Sequence, residues 1–217
     1  MSTSRWERFA PLTGVVFFVL IAITLALSND TPDTNSSTAD TVSYWSAHDS
    51  RLIASAIIGT FAVIFLIWFG GSLRSALLRA EGGEGRLSTL AFAGILVIGI
   101  TGAIGGTLTF VVADTVNDVP AEATQALSVL SEDFFLPFLA GIALFMFATG
   151  ICVLRHGGLP SWLGWAAIVI GVVSVTPVGF IGFVLSFIWV PVVGIVLYLR
   201  GAQTAPPGAP RPAEPAT

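Results

Sequence analysis

The chain has 217 residues, of which 54% are hydrophobic and 10% charged, and its mean hydropathy is +0.88. Soluble domains carry roughly 25% charged residues, so this composition excludes an ordinary water-soluble fold. The nine basic residues are all arginine, the net charge is −4, and no basic stripe exists for a nucleic acid. Cys152 is the only cysteine, which excludes an intramolecular disulfide and a cysteine-rich metal centre.

The charge is missing from long blocks and concentrated between them, the pattern of a chain whose solvent is lipid. Taken in order, the apolar blocks predict spans at about 10–28, 52–73, 87–112 and 134–154. Residues 162–199 form one almost unbroken apolar run. At 1.5 Å per residue a single helix there would reach about 57 Å, nearly twice the ~30 Å hydrocarbon core. Thr176-Pro177-Val178-Gly179 is the natural place to turn, because Pro177 ends a helix and Gly179 permits a reversal. The run therefore reads as two spans, 162–177 and 180–199, with Pro191 and Gly194 inside the second. The expected fold is an all-α integral membrane bundle of six transmembrane helices over residues 1–200. The Pro/Ala-rich residues 201–217 read as a disordered cytoplasmic tail.

Arginine placement sets the expected orientation. With the N-terminus inside, Arg5, Arg8, Arg74, Arg79, Arg86, Arg155, Arg200 and Arg211 are cytoplasmic and only Arg51 lies outside. This predicts an N-in/C-in, multi-pass protein of the cytoplasmic (cell) membrane. Trp6, Trp68, Trp162, Trp165 and Tyr198 suit the inner interface, Tyr44 and Trp45 the outer one, and Trp189 fits neither. A rival reading makes the N-terminus a cleaved signal peptide ending near Ala26-Leu27-Ser28. The apolar stretch from Leu12 is long for that, and a retained first helix is the favoured expectation.

The polar segment 29–50 reads as a flexible outer loop, and Ala121–Leu130 in the second outer loop as a short interfacial helix. A faint internal repeat also shows: Gly59 stands before Leu73-Arg74 much as Gly141 stands before Leu154-Arg155, and LAFAGILVIG at 90–99 echoes LGWAAIVIG at 163–171. Parallel repeats of this kind occur in transporters.

No Asp, Glu, Lys, Arg or His falls inside any of the six predicted spans. A proton-coupled carrier needs a titrating group near mid-membrane, so this argues against that mechanism. The charges gather instead at the outer border, where Tyr44, His48, Asp49, Arg51, Asp114, Glu132 and Asp133 form a candidate polar cluster. In the functional reading Arg51 pairs with Asp114 or Glu132, while His48, Asp49 and Asp133 hold a divalent cation or a polar head group. In the plainer reading these are helix caps, dipole partners and a snorkelling arginine. Thr101, Gly102, Gly106, Thr107 and Thr109 form a second candidate group, small enough to admit a neighbouring helix or to line a polar cavity. No catalytic signature, metal motif or cofactor fingerprint is present, and no cofactor is expected.

The outer segment SYWSAHDSRLIASAI (43–57), the stretch DFFLPFLAGIALFMFATG (133–150) and GGLPSWLGW (157–165) resemble small polytopic membrane proteins of high-GC Gram-positive bacteria, of the domain-of-unknown-function type. The resemblance implies six spans in a cytoplasmic membrane and brings no activity or catalytic residues with it. Three classes of function follow. A non-catalytic accessory, sensor or lipid-interacting protein is favoured. A small transporter would need a wet path lined by Thr101, Thr107, Thr109, Ser174 and Thr176. An enzyme would need His48, Asp49, Asp114, Glu132 and Asp133 to converge. Expected partners are membrane lipid and a second copy or another membrane protein, with no nucleic acid.

Overall fold

A computed structural model describes residues 8–29, 31–83 and 85–203, with the side chains of 201–203 excepted. Arg5, Trp6, Arg211 and the tail beyond Gln203 lie outside the described residues. Within them the fold is all-helical. A 3-10 turn at Ala10–Leu12 leads into α1 (Thr13–Leu27), followed by α2 (Thr38–Glu81), α3 (Arg86–Thr115), α4 (Ala121–Asp133), α5 (Leu136–His156), α6 (Ser161–Ser174) and α7 (Gly179–Gln203). Five helical stretches are long and apolar enough to cross a membrane: Ala10–Leu27, Thr38–Glu81, Arg86–Thr115, Ala121–His156 and Gly179–Arg200. This is the pattern of a multi-pass membrane protein. With 14 residues, α6 spans about 21 Å and is shorter than a hydrocarbon core.

Local chemistry explains where the helices stop. Pro120 and Pro160 stand at the N-caps of α4 and α6, Pro137 lies in the first turn of α5, and the chain reverses at Val175–Val178 around Pro177. The α2–α3 turn uses two left-handed glycines, Gly82 (φ 63°) and Gly85 (φ 67°). Gly85 cannot cap α3 with a side chain, so Glu81 reaches across the turn to do it. Its two carboxylate oxygens accept the Leu87 N–H at 2.8 Å and the Ser88 N–H at 2.9 Å, two of the orphan donors of α3. Glu81 stands beyond the apolar stretch of α2. Desolvation pushes its carboxyl up, but the bonds from Ser88 and Leu87, helped by His156, outweigh this and hold it below its ordinary value.

One boundary differs greatly from the sequence expectation. The helix expected from residue 52 starts at Thr38, and α2 runs for 44 residues, about 66 Å. Ser37 caps it, its hydroxyl accepting the Asp40 N–H at 3.2 Å. Residues 38–51 are therefore an ordered helical extension in place of a loop. The expectation of disorder from Gly201 is likewise shifted, because α7 continues to Gln203.

The two ends of the bundle differ in build. We call the end carrying the α1–α2, α3–α4 and α6–α7 connections distal, and the end carrying Phe9 and Tyr198 proximal. Phe9 and Tyr198 stack at 5.7 Å, which brings the beginning of the described chain beside its last helix. The main core, with Phe69, Leu73, Ile95, Ile142, Met146 and Leu163 buried, runs through the bundle. Trp189, which fits no interfacial belt, is 4% exposed there and donates its indole N–H to the Leu163 carbonyl at 3.2 Å. Trp68, Trp162 and Trp165 point outward and are exposed. A separate small core of Trp45, Leu52, Val112, Ala113 and Val116 joins the α2 extension, the end of α3 and α4 into a distal cap.

Candidate functional site

The distal border is where the sequence concentrates its polar residues, and the structure sorts them into different tasks. Tyr44 donates its hydroxyl to the Asn29 carbonyl at 2.8 Å and packs its ring 4.7 Å from that of His48. The His48 Nδ1 lies 2.9 Å from the Tyr44 carbonyl one turn earlier. Asp49 accepts hydrogen bonds from the backbone N–H and the hydroxyl of Ser50. Asp114, Glu132 and Asp133 are exposed. Glu132 stands on α4, before the apolar stretch of α5.

Arg51 does not pair with Asp114 or Glu132. Its Nη2 donates instead to the Asn29 carbonyl at 3.3 Å and the Tyr44 hydroxyl at 3.4 Å, while its Nε is buried without a partner. The reason is topological. The chain leaving α1 passes alongside the α2 extension and offers a carbonyl where the charge pattern alone would place a carboxylate. Among the described residues no three His, Cys, Asp or Glu side chains stand close enough to share a metal ion.

The glycine- and threonine-rich segment of α3 is divided between packing and cavity. Gly106 faces α2, where a Cβ would lie 2.8 Å from Thr60 Oγ1. Thr101 is buried, whereas Thr107 is exposed and returns its hydroxyl to the Ala103 carbonyl. Gly102, Gly106 and Thr109 line a cavity of about 200 Å³ in the distal half of the bundle. Its wall is shared by α1, α2, α3, α5 and α7.

Four phenylalanines dominate the lower wall. Phe17 meets Phe187 edge-on at 5.4 Å, Phe183 and Phe187 lie 4.3 Å apart, and Phe138 stands 5.3 Å from Phe183. The polar groups are at the distal end, and their protons are already committed. Ser28 and Ser55 both donate to the Thr24 carbonyl, at 2.9 and 3.1 Å, and Thr24 donates to the Leu20 carbonyl at 3.0 Å. Thr109 donates to the Gly105 carbonyl at 3.2 Å. A guest thus meets aromatic and aliphatic surface below, and spent hydroxyls above. Of the residues that a wet transport path would need, only Thr109 is in this wall; Ser174 and Thr176 return their hydroxyls to α6 backbone carbonyls.

Sequence reasoning missed the phenylalanine cluster, because an isolated Phe in an apolar span is indistinguishable from lipid-facing surface. Phe183 and Phe187, one helical turn apart, were the available signal. No family model, no curated protein and no solved structure matches this chain.

Proposed function

We propose that this chain is a non-catalytic, lipid-interacting protein of the cytoplasmic membrane. In this reading it has six spans with both ends inside, and it belongs with the small polytopic proteins of high-GC Gram-positive bacteria that it resembles. One observation carries the lipid-interacting role: the aromatic-floored cavity of about 200 Å³ bordered by five helices, with the protons of its wall hydroxyls committed to carbonyls. An apolar cavity of about 150 Å³ already takes up benzene, so this one suits a segment of hydrocarbon. The committed hydroxyls leave the wall no proton for an anion, and the phenylalanine floor offers water and ions no polar partner.

The topology rests on three supports. Eight arginines fall on one side and one on the other under the N-in assignment. Phe9 stacked on Tyr198 favours an even number of crossings between them. The break at Val175–Val178 supports counting the short α6 as the sixth. A fluorescent protein fused after residue 200 should fluoresce, and alkaline phosphatase at the same place should be inactive; the reverse result overturns the orientation.

For the function, native mass spectrometry of the detergent-purified protein should show retained lipid in the wild type and its loss in Gly102→Leu. A Cβ at Gly102 would make only ordinary contacts, at 3.7 Å from Phe138 and 3.8 Å from Val63. The backbone therefore admits a side chain there, and a leucine should take up cavity volume. Wild-type protein that carries no lipid, and takes none up from added lipid, would refute the reading.

A further inference from the structure

We infer that Arg51 is the head-group-binding residue of this cavity, and that its occupant is a single-chain amphiphile with an anionic head, a carboxylate or a phosphate. The inference rests on the lipid-interacting reading and adds the chemistry of the ligand.

Position comes first. Ser55 lies in the cavity wall, and Arg51 precedes it by one helical turn, so the two share a face of α2. Ser28 is the most distal wall residue of α1, and the Arg51 guanidinium is 3.3 Å from the carbonyl of Asn29, the next residue. The guanidinium therefore stands at the distal rim, above the gap between α1 and α2.

The second argument is charge. Among the described residues Arg51 has no carboxylate partner, and its two hydrogen bonds, at 3.3 and 3.4 Å, are long. Its Nε is buried with no acceptor, and a buried donor left unmade is costly. An oxyanion at the rim would offer the outer end of the guanidinium the strong charge-assisted geometry that a carbonyl and a hydroxyl do not. The hydroxyls lining the distal wall are already committed as donors to carbonyls. Arg51 is thus the group placed to donate to an anion.

The third argument is size. About 200 Å³ accommodates part of one alkyl chain and not the paired chains of a phospholipid. The phenylalanine floor faces the end of the chain, and the arginine faces its head.

The test uses the full chain in phosphatidylcholine nanodiscs and a dodecanoate probe carrying a photoreactive group at its far end. Dodecanoate, dodecyl phosphate, dodecanol and dodecyltrimethylammonium then compete with the probe. The expected result is labelling of the peptides bearing Phe138 or Phe187. Both anions should compete about tenfold better than dodecanol, and the trimethylammonium compound worst. The better of the two anions identifies whether the head is carboxylate or phosphate. Arg51→Gln should erase the preference for anions over dodecanol, and Arg51→Lys should retain most of it. Equal competition by dodecanol and dodecanoate in the wild type overturns the role of Arg51 and leaves the lipid cavity standing, and this readout needs no variant to fold. Failure of the probe to label the wall, together with wild-type protein that retains no lipid in native mass spectrometry, overturns both.

Discussion

The bundle and the distal cap solve the same problem, holding helices together, by opposite means. In the bundle, backbones meet through missing side chains. A Cβ on Gly94 of α3 would stand 2.5 Å from the Phe145 backbone nitrogen of α5, and one on Gly141 would stand 3.0 Å from that of Ile98. Gly150 meets the Gly164 carbonyl of α6 in the same way, at 2.8 Å. In the cap, the contact is made by a large side chain and by long-range polar bonds. Trp45 is 1% exposed and donates its indole N–H to Ser128 Oγ at 3.0 Å. Thr38 donates to the Gln125 side-chain carbonyl, and the Gln125 amide donates to the Ser36 carbonyl at 3.1 Å. The difference follows the solvent. Lipid tails are as apolar as the helix surfaces, so burial supplies no force between helices and close backbone approach must replace it. In water, removing a tryptophan from solvent is itself favourable.

The comparison is broken most severely at the glycine crossings. Gly94→Val puts side-chain atoms onto backbone that cannot move aside, and should cost about 4 kcal/mol or more. Size-exclusion chromatography of the detergent-solubilised variant should show the monodisperse peak lost; an unaltered peak with an unaltered melting temperature would remove Gly94 from its role. Next is Trp45→Ala, at about 3–5 kcal/mol. Its effect should stay local: hydrogen exchange should accelerate in 38–51 and 121–133 while the α3–α5 crossing near Gly94 keeps its protection. Uniform acceleration would mean that the cap is no separate cooperative unit.

A smaller effect is expected at the α2–α3 turn. Glu81→Gln weakens an N-terminal cap and should cost about 1 kcal/mol at neutral pH. The sign of its pH dependence follows from the lowered pKa of Glu81. The carboxylate's contribution is present in full above its ordinary value of 4.5 and is lost as pH falls through the lower folded value. Wild type and Glu81→Gln should therefore converge in melting temperature under acid, and a gap that widens there would contradict the capping role. The smallest effect should come from Gly105→Ala, where a Cβ meets nothing within 4 Å. It should be neutral or stabilising by about 0.5–1 kcal/mol, against the collapse expected at Gly94 eleven residues earlier on the same helix.

The membrane-type helices were legible because lipid leaves little choice: long stretches without charge must satisfy their backbone internally, as helix. The reversal near Pro177 was legible because proline ends helices and glycine turns them. Residues 38–51 were not, because Thr, Ser and Asp compete locally for backbone hydrogen bonds and make such a stretch read as a loop. A trace of the helix was nonetheless there, since Thr41 and Trp45, the buried residues of the extension, fall on one helical face with the buried Leu52 that follows it. What makes the stretch helical is Ser37 at its start and α4 against its side. The candidate sites divide similarly. Gly102, Gly106 and Thr109 could be singled out as small residues, but nothing local tells a packing glycine from a cavity glycine. The neighbours decide: a Cβ would press on Thr60 at Gly106 but make only ordinary contact with Phe138 and Val63 at Gly102.

Composition and the spacing of charged residues determined by themselves that this is a helical, multi-pass chain, because solvent acts on every residue independently of its neighbours in space. Only the tertiary structure decided what Arg51 faces, where Trp45 and Trp189 go, and that four phenylalanines from α1, α5 and α7 meet under one cavity. Those outcomes depend on which helices become adjacent, and adjacency is set by packing between segments far apart in the chain.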